Sequence, residues 1–442
     1  MRELQELTWS EGTEAILALL PRLTVLRGML SAKPVRELKR CCEAIIEGNI
    51  RNAVDACFSM TGALLSGGFR RVSGDLFKDF LLHKLFLEPH PFARMAAENR
   101  IDDALYAGMK EDLELLSNLR QLDGGTLYRF IQERYKELRQ KARPNRDSAA
   151  RLAEAAWGGS AVRPAQQESL IPLPSIPAFL PTGAPDWSYG EEELRDEYAS
   201  DEALEEMYHR FLDPEHEWPL MLEDIWNFFA TCGTGVFLKS RRFIWRRGGL
   251  FPMTETRLSE SLPLMEQEYR ECLNHAIEFM RGSVASPILI TGGEGMGKTT
   301  MLFSLADELP ELRFIYVPEC RSGAELAPLF HVLRSQPLKF MVAVDGGEVS
   351  GVAERIIPAN VLLAAASLPG RSAGSFVKRV ALPNLRLDGF ADMVQRLLEA
   401  DGVILPRETV RSACVDHQVD SKGELTVAAA VSVAKRLAGS VE

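Results

Sequence analysis

An α/β fold built on a buried parallel sheet, preceded by a mostly α-helical N-terminal region, is predicted by three observations. Beyond residue 286, apolar runs alternate with helix-like stretches, as expected of strands covered on both faces. One run, Pro287-Ile288-Leu289-Ile290, leads into a loop with glycines at 292, 293, 295 and 297, and then into the helix-like Met301-Leu302-Phe303-Ser304-Leu305-Ala306. Before residue 142 the apolar residues recur at helical spacing instead, as at Ile16, Leu19, Leu20, Leu23 and Leu26.

The N-terminal pattern breaks at Pro21, Pro34 and Gly67-Gly68, continues through Asp112, Leu113, Leu115, Leu116 and Leu119, and ends in an amphipathic helix over Tyr128 to Arg143. This marks residues 1–150 as a helical domain. His83 and His90 there lack acidic or cysteine partners at helical spacing, so packing or surface roles are expected rather than metal ligation. Residues 151–189 are a linker, because Pro164, Pro172, Pro174, Pro177, Pro181 and Pro185 break helices and favour extended chain. Its apolar members Leu170, Ile171, Leu173, Ile176 and Phe179 suggest that it packs along a surface.

Residues 190–258 combine acidic helices with a basic β-hairpin. The net charge of −11 is concentrated between Asp186 and Asp224, where fifteen acids face only Arg195 and Arg210. A solvated face is the plainer reading of 191–224, and a docking face for a basic protein partner the alternative. After Gly233-Thr234-Gly235, a strand from Val236 to Trp245 is expected to pair with Leu250 to Thr254 around Arg246-Arg247-Gly248-Gly249. Lys239, Arg241, Arg242, Arg246 and Arg247, interleaved with Phe243 and Trp245, are explained by a hairpin with one basic and one aromatic face. A nucleic-acid surface is the competing reading, against which the acidic balance argues.

With 442 residues the chain has room for two or three domains. No apolar run reaches membrane-span length, and Met1-Arg2-Glu3-Leu4-Gln5-Glu6 does not resemble a secretory signal, so no membrane association and a cytoplasmic location are expected. Seven scattered cysteines without a C-x-x-C pair exclude a zinc ribbon and point to reduced, mostly buried thiols.

The chemistry is concentrated in residues 259–385. Gly292 to Thr299 satisfies G-x-x-x-x-G-K-[ST], the phosphate-binding pattern. Its glycines bring backbone N–H groups close to an anion, and the helix from Lys298 adds the positive end of its dipole. Gly292, Gly293, Glu294, Gly295, Met296, Gly297, Lys298, Thr299 and Thr300 are therefore the expected ATP-binding residues. Lys298 is expected on the β/γ-phosphates and the Thr299 hydroxyl on Mg²⁺. Phe314-Ile315-Tyr316-Val317 reads as a second strand and Phe340-Met341-Val342-Ala343-Val344-Asp345 as a third, whose closing acid is the second Mg²⁺-site residue. Asn360 to Ser367 and Val380 to Leu385 read as the fourth and fifth.

With these segments in this order, the chain resembles a family of predicted bacterial AAA+-like ATPases of unassigned role, domain of unknown function 815. The resemblance rests on Gly233-Thr234-Gly235 with Phe243 and Trp245, the helix Glu266 to Gly282, the phosphate loop, Asp345 and the strand from Asn360. Asp75 to Leu116 is a weaker match to the family's helical front. It implies a P-loop (AAA+-like) ATPase core, a short helical lid at residues 386–442, and the adenine near Leu262 and Leu264.

Three positions depart from the family pattern. Gly346 follows Asp345 where a second acid orients the attacking water, leaving Glu348 as the candidate substitute. Leu368 stands where an Asn senses the γ-phosphate, and Thr426 where a lid arginine reaches it. Arg379 matches an arginine finger, which implies a homo-oligomer; an exposed surface arginine is the alternative. The expected function is thus a slow Mg²⁺-dependent ATPase that couples nucleotide state to conformation. The alternatives are a nucleotide-gated scaffold without turnover and a nucleic-acid-handling ATPase.

Overall fold

The computed structural model describes residues 4–100, 102–142, 177–190, 202–253, 265–283, 286–320, 322–346, 357–370, 378–420 and 425–439. It divides into two compact units, Met1–Ala230 and Thr231–Glu442.

The first unit is helical, with α1 (Trp9–Leu19), α2 (Lys33–Glu47), α3 (Ile50–Leu65), α4 (Leu76–Phe86), α5 (Pro91–Ala97), α6 (Asp103–Leu119), α7 (Gly124–Ala142), α8 (Glu202–Leu212) and α9 (Leu222–Cys232), the last running two residues past the boundary. Local chemistry sets the helix starts. Thr8 and Glu11 form a reciprocal capping box at α1, and Asp75 accepts from Phe77 N and Lys78 N at α4. Helix α4 buries Leu76, Phe77, Phe80, Leu81, Leu82, Leu85 and Phe86, so apolar neighbours surround it. The Phe86 ring lies 5.2 to 5.7 Å from those of Phe211, Phe228 and Tyr208, which fastens the apolar sides of α8 and α9 to this core.

The end of the proline-rich segment packs on the same unit. Trp187 is buried, donates its indole N–H to Thr61 Oγ1 at 2.9 Å, and accepts Leu76 N through its carbonyl. Tyr128 and Tyr135 donate to the carbonyls of Pro181 and Ala178. Phe179 departs from the expected packing, being 80% exposed. Residues 143–176 and 191–201, with most of the expected linker and the start of the acidic helix, lie outside the described residues.

In the second unit the strands are β1 (Arg242–Arg246), β2 (Gly249–Pro252), β3 (Ile288–Thr291), β4 (Arg313–Val317), β5 (Phe340–Asp345), β6 (Val361–Ser367) and β7 (Lys378–Ala381). They form one sheet in the order β2-β1-β4-β5-β6-β3-β7, parallel except for the β1–β2 hairpin. One strand, β6, is inserted between the loop-bearing β3 and the acid-bearing β5. This is the arrangement of an α/β P-loop core of the additional-strand kind.

The strand residues alternate between two buried faces. Ile288, Ile290, Phe314, Met341, Ala343, Leu362 and Ala364 face α10 (Glu266–Met280), α11 (Lys298–Glu308) and the lid helices α13 (Leu387–Ala400), α14 (Arg407–Asp420) and α15 (Val427–Ala438). Leu289, Ile315, Val317, Val342, Val344 and Leu363 face α12 (Ala327–Arg334). A sheet covered on both sides therefore reads as unbroken apolar runs. At the start of β6, the Asn360 amide donates to the carbonyls of Leu333, Gln336 and Leu338 at 2.8 to 3.0 Å, tying α12 and its following turn to the strand.

The hairpin is shorter than the expected Val236 to Trp245 strand. Residues Gly235–Leu238 form a 3-10 turn that places Phe237 and Leu238, consecutive residues, both in the interior. A strand would send them to opposite faces. Arg247 and Gly248 take φ of 52° and 74°, which sets the two-residue turn. Part of the hairpin's basic character is structural: Arg242 pairs with Asp307, Arg241 donates to Pro310 O at 3.5 Å, and Arg246 lies over Phe251. No described helix is long and apolar enough to cross a membrane.

His90 carries a packing role, as the lack of partners at helical spacing predicts. It caps α5, accepting Ala93 N on Nδ1 at 3.2 Å, so Nε2 carries the proton and donates to Leu85 O at 2.9 Å. Burial lowers its pKa to about 4, and protonating Nδ1 would remove the cap acceptor. A folded-state pKa below the unfolded one gives stability that is present above about pH 6.5 and lost toward pH 4, up to about 3 kcal/mol. Chemical denaturation at pH 7 and pH 4.5 should show this loss, and His90→Asn, which keeps a cap acceptor without the titration, should flatten it.

Candidate functional site

Strand β3 pairs with β6 on one side and β7 on the other, so its carboxyl end opens between two strand ends. Hydrogen bonds continue the sheet into the loop, from Gly292 N to Ser367 O at 3.3 Å and from Leu382 N to Thr291 O at 2.7 Å. The loop then turns through Gly295 at φ 68° and Gly297 at φ 81°, a region that side chains other than glycine rarely adopt. Gly297 caps α11, which begins at Lys298, and Met296 is buried beneath the turn while Glu294 and Thr300 stay exposed. The sequence-predicted loop residues are thus gathered around one helix N-terminus, the geometry of an anion cradle.

The side chains of Lys298 and Thr299 have partners within the chain. Lys298 Nζ donates to the carbonyls of Gly292 and Gly293 at 2.9 and 2.7 Å. Partial burial lowers the lysine's pKa, opposed by Asp345 and Glu294. Thr299 Oγ1 donates to Asp345 Oδ2 at 2.6 Å, so the two expected metal-site residues, 46 positions apart, meet at the ends of α11 and β5. A hydroxyl and a carboxylate are hard oxygen donors, which fits a cation such as Mg²⁺.

Two features were not anticipated from the sequence. Tyr316 on β4 donates to the same Asp345 oxygen at 2.9 Å, and burial and Asp345 together hold its pKa well above the usual tyrosine range. In the apolar run 314–317 it reads as one more strand residue, and its hydroxyl was the only signal. Second, the lid rests on the loop: Ala428 N donates to Gly295 O at 2.9 Å, and Val427 packs beside Gly297. Thr426, at the expected lid position, caps α15 by accepting Ala429 N at 3.1 Å.

The other candidates are placed less directly. Gly346 has φ 84° and follows Asp345 without a side chain, and Leu368 follows Ser367, which lies opposite Thr291 in the β3–β6 register. Arg379 is exposed in the edge strand β7 opposite Leu289, two residues before the strand's carboxyl end. Glu348, Leu262 and Leu264 lie outside the described residues.

A Cβ on Gly295 would lie 3.2 Å from Thr426 Oγ1 and 3.3 Å from Ala428 Cβ. Gly295→Ala should therefore both strain the turn, by about 1–2 kcal/mol, and loosen the lid. Hydrogen exchange should show the Ala428 amide less protected than in wild type; unchanged protection would mean that the lid does not rest on the loop.

No protein-family model matches the chain, and no curated protein matches it. Solved structures similar to it include a point mutant of Thermotoga maritima RuvB, at 15% identity over 40% of this chain and 71% of that one, TM-score 0.28. Another is the Thermotoga maritima RuvB Holliday junction branch migration motor, at 16% identity over 39% and 69% of the two chains, TM-score 0.28. Overlap this small carries no statement about function, and the α/β P-loop architecture rests on the strand order and the loop itself.

Proposed function

We propose that this chain is an AAA+-like protein that binds ATP with Mg²⁺ at residues 292–300, hydrolyses it slowly, and uses nucleotide state to move its lid. The observation that carries the reading is the meeting of Lys298, Thr299 and Asp345 at a glycine loop on an interior strand. Lys298 would leave the Gly292 and Gly293 carbonyls for the β/γ-phosphates, and the loop N–H groups would surround them. Thr299 and Asp345 would hold the cation, which supplies neutralisation of phosphate charge. Since Gly295 O also accepts from Ala428, refolding of the loop around phosphate would be felt by α15. A role in the cytoplasm and distant kinship with the domain of unknown function 815 family belong to the same reading. The kinship is supported by the order of hairpin, helix α10, loop, Asp345 and the strand after Asn360.

Gly346 favours a second reading, in which ATP binding is the signal and turnover is negligible. A carboxylate that orients the attacking water normally stands at that position, and Glu348 is the proposed replacement. Arg379, exposed on the edge strand, is the proposed contact to a neighbouring copy's nucleotide.

ATP binding and phosphate release, measured side by side for wild type and Lys298→Ala, separate these readings. Wild-type binding that the variant weakens at least roughly tenfold, with slow turnover, supports the ATPase. Binding without turnover selects the scaffold, and no loop-dependent binding removes both. If turnover exists, Glu348→Gln should abolish it at nearly unchanged affinity.

A further inference from the structure

Tyr316 has no part in the phosphate chemistry proposed for the loop, yet among the described residues it is one of two groups that hydrogen-bond the acid at the end of β5. It stands on β4 opposite Ala343, two residues before Asp345 on the neighbouring strand, and its side chain spans that offset along the sheet. Its ring lies 5.1 Å from that of Phe303 of α11, the helix that begins with the loop lysine. Both hydrogen bonds to Asp345 fall on Oδ2, from Thr299 at 2.6 Å and from Tyr316 at 2.9 Å. They use that oxygen's two lone pairs and, among the described residues, leave Oδ1 for a cation-bound water.

The two donors differ in what a cation would do to them. A hydroxyl that becomes a metal ligand turns its lone pair to the metal, and its proton is no longer held on Oδ2 by the same geometry. Tyr316 approaches from a strand in the interior of the sheet and has no such second task. We propose that Tyr316 is the positioning residue for the cation: its O–H holds the Asp345 carboxylate in place once Thr299 turns to the metal, a restraint that Gly346 cannot share. The inference rests on the nucleotide reading above, and it makes a neutral phenol do part of the orienting that paired acids do elsewhere. It also explains a hydroxyl in the otherwise apolar run Phe314 to Val317 of β4.

The test is a titration of MgCl₂ into the full-length chain with a sub-saturating fluorescent ATP analogue, repeated in EDTA without metal. Tyr316→Phe should bind the analogue in EDTA as wild type does, yet require roughly tenfold more Mg²⁺ for half-maximal enhancement. Phe303→Leu, which removes the ring beneath and keeps the hydroxyl, should leave the Mg²⁺ midpoint unchanged. Equal Mg²⁺ midpoints for wild type and Tyr316→Phe overturn the proposal. So does failure of Tyr316→Phe to fold, an equal loss of binding with and without Mg²⁺, or a Phe303→Leu midpoint shifted as far as that of Tyr316→Phe, since each makes Tyr316 a packing group. A wild type that binds no analogue in either condition instead removes the nucleotide reading on which the proposal stands.

Discussion

Strand β3 must be hydrogen-bonded on both edges and still end in open space, and the rest of the second unit follows from that constraint. Its pairing with β6 and β7 fixes where the chain leaves the sheet. The glycines at 295 and 297 then let the backbone reverse through positive φ within a few residues and start α11 at Lys298. Were β3 an edge strand, the loop would have one neighbour to lean on. As built, it is held by Ser367 on one side and Leu382 on the other, and the acid at the end of β5 is only one strand further away.

The same arrangement explains how the site stays folded around its own polar groups. Loop carbonyls accept the Lys298 ammonium, Asp345 accepts two hydroxyls, and the carbonyl of Gly295 accepts the lid's Ala428 amide. The partly buried ammonium and carboxylate would be costly to leave unpaired. A phosphate ligand would therefore draw the Lys298 and Thr299 side chains from internal partners, and the loop that it enters also carries a contact to α15. That is a physical route from the loop to the lid, made of one backbone hydrogen bond and the packing of Val427 on Gly297.

Legibility in the sequence followed periodicity. Strands β3 to β6 stood out because burial on both faces leaves runs such as Phe340 to Val344 without a polar break, whereas the edge strand β7 spans Lys378–Ala381, largely exposed, and overlaps the expected Val380 to Leu385 at only two residues. The loop stood out because its spacing is dictated by phosphate geometry. Val236 to Leu238 misled because three apolar residues read as a strand whether they alternate or turn, and only the tertiary setting buries Phe237 and Leu238 together. Tyr316 and the lid contact were invisible for a different reason: both join residues from separate elements, and no local pattern marks a hydroxyl that reaches along a neighbouring strand. The acidic charge between Asp186 and Asp224 was legible as composition, whereas the aromatic seam that holds α8 and α9 through Phe86 required the fold.

The central claim is that loop 292–299 is a nucleotide cradle closed on itself. A crystal structure of the full chain grown with Mg²⁺ and a non-hydrolysable ATP analogue tests this most directly. The account predicts phosphates inside the loop, Lys298 withdrawn from the carbonyls of Gly292 and Gly293, and Thr299 turned from Asp345 toward the metal. An analogue bound elsewhere, or a loop that keeps all three contacts at saturating ligand, would contradict it.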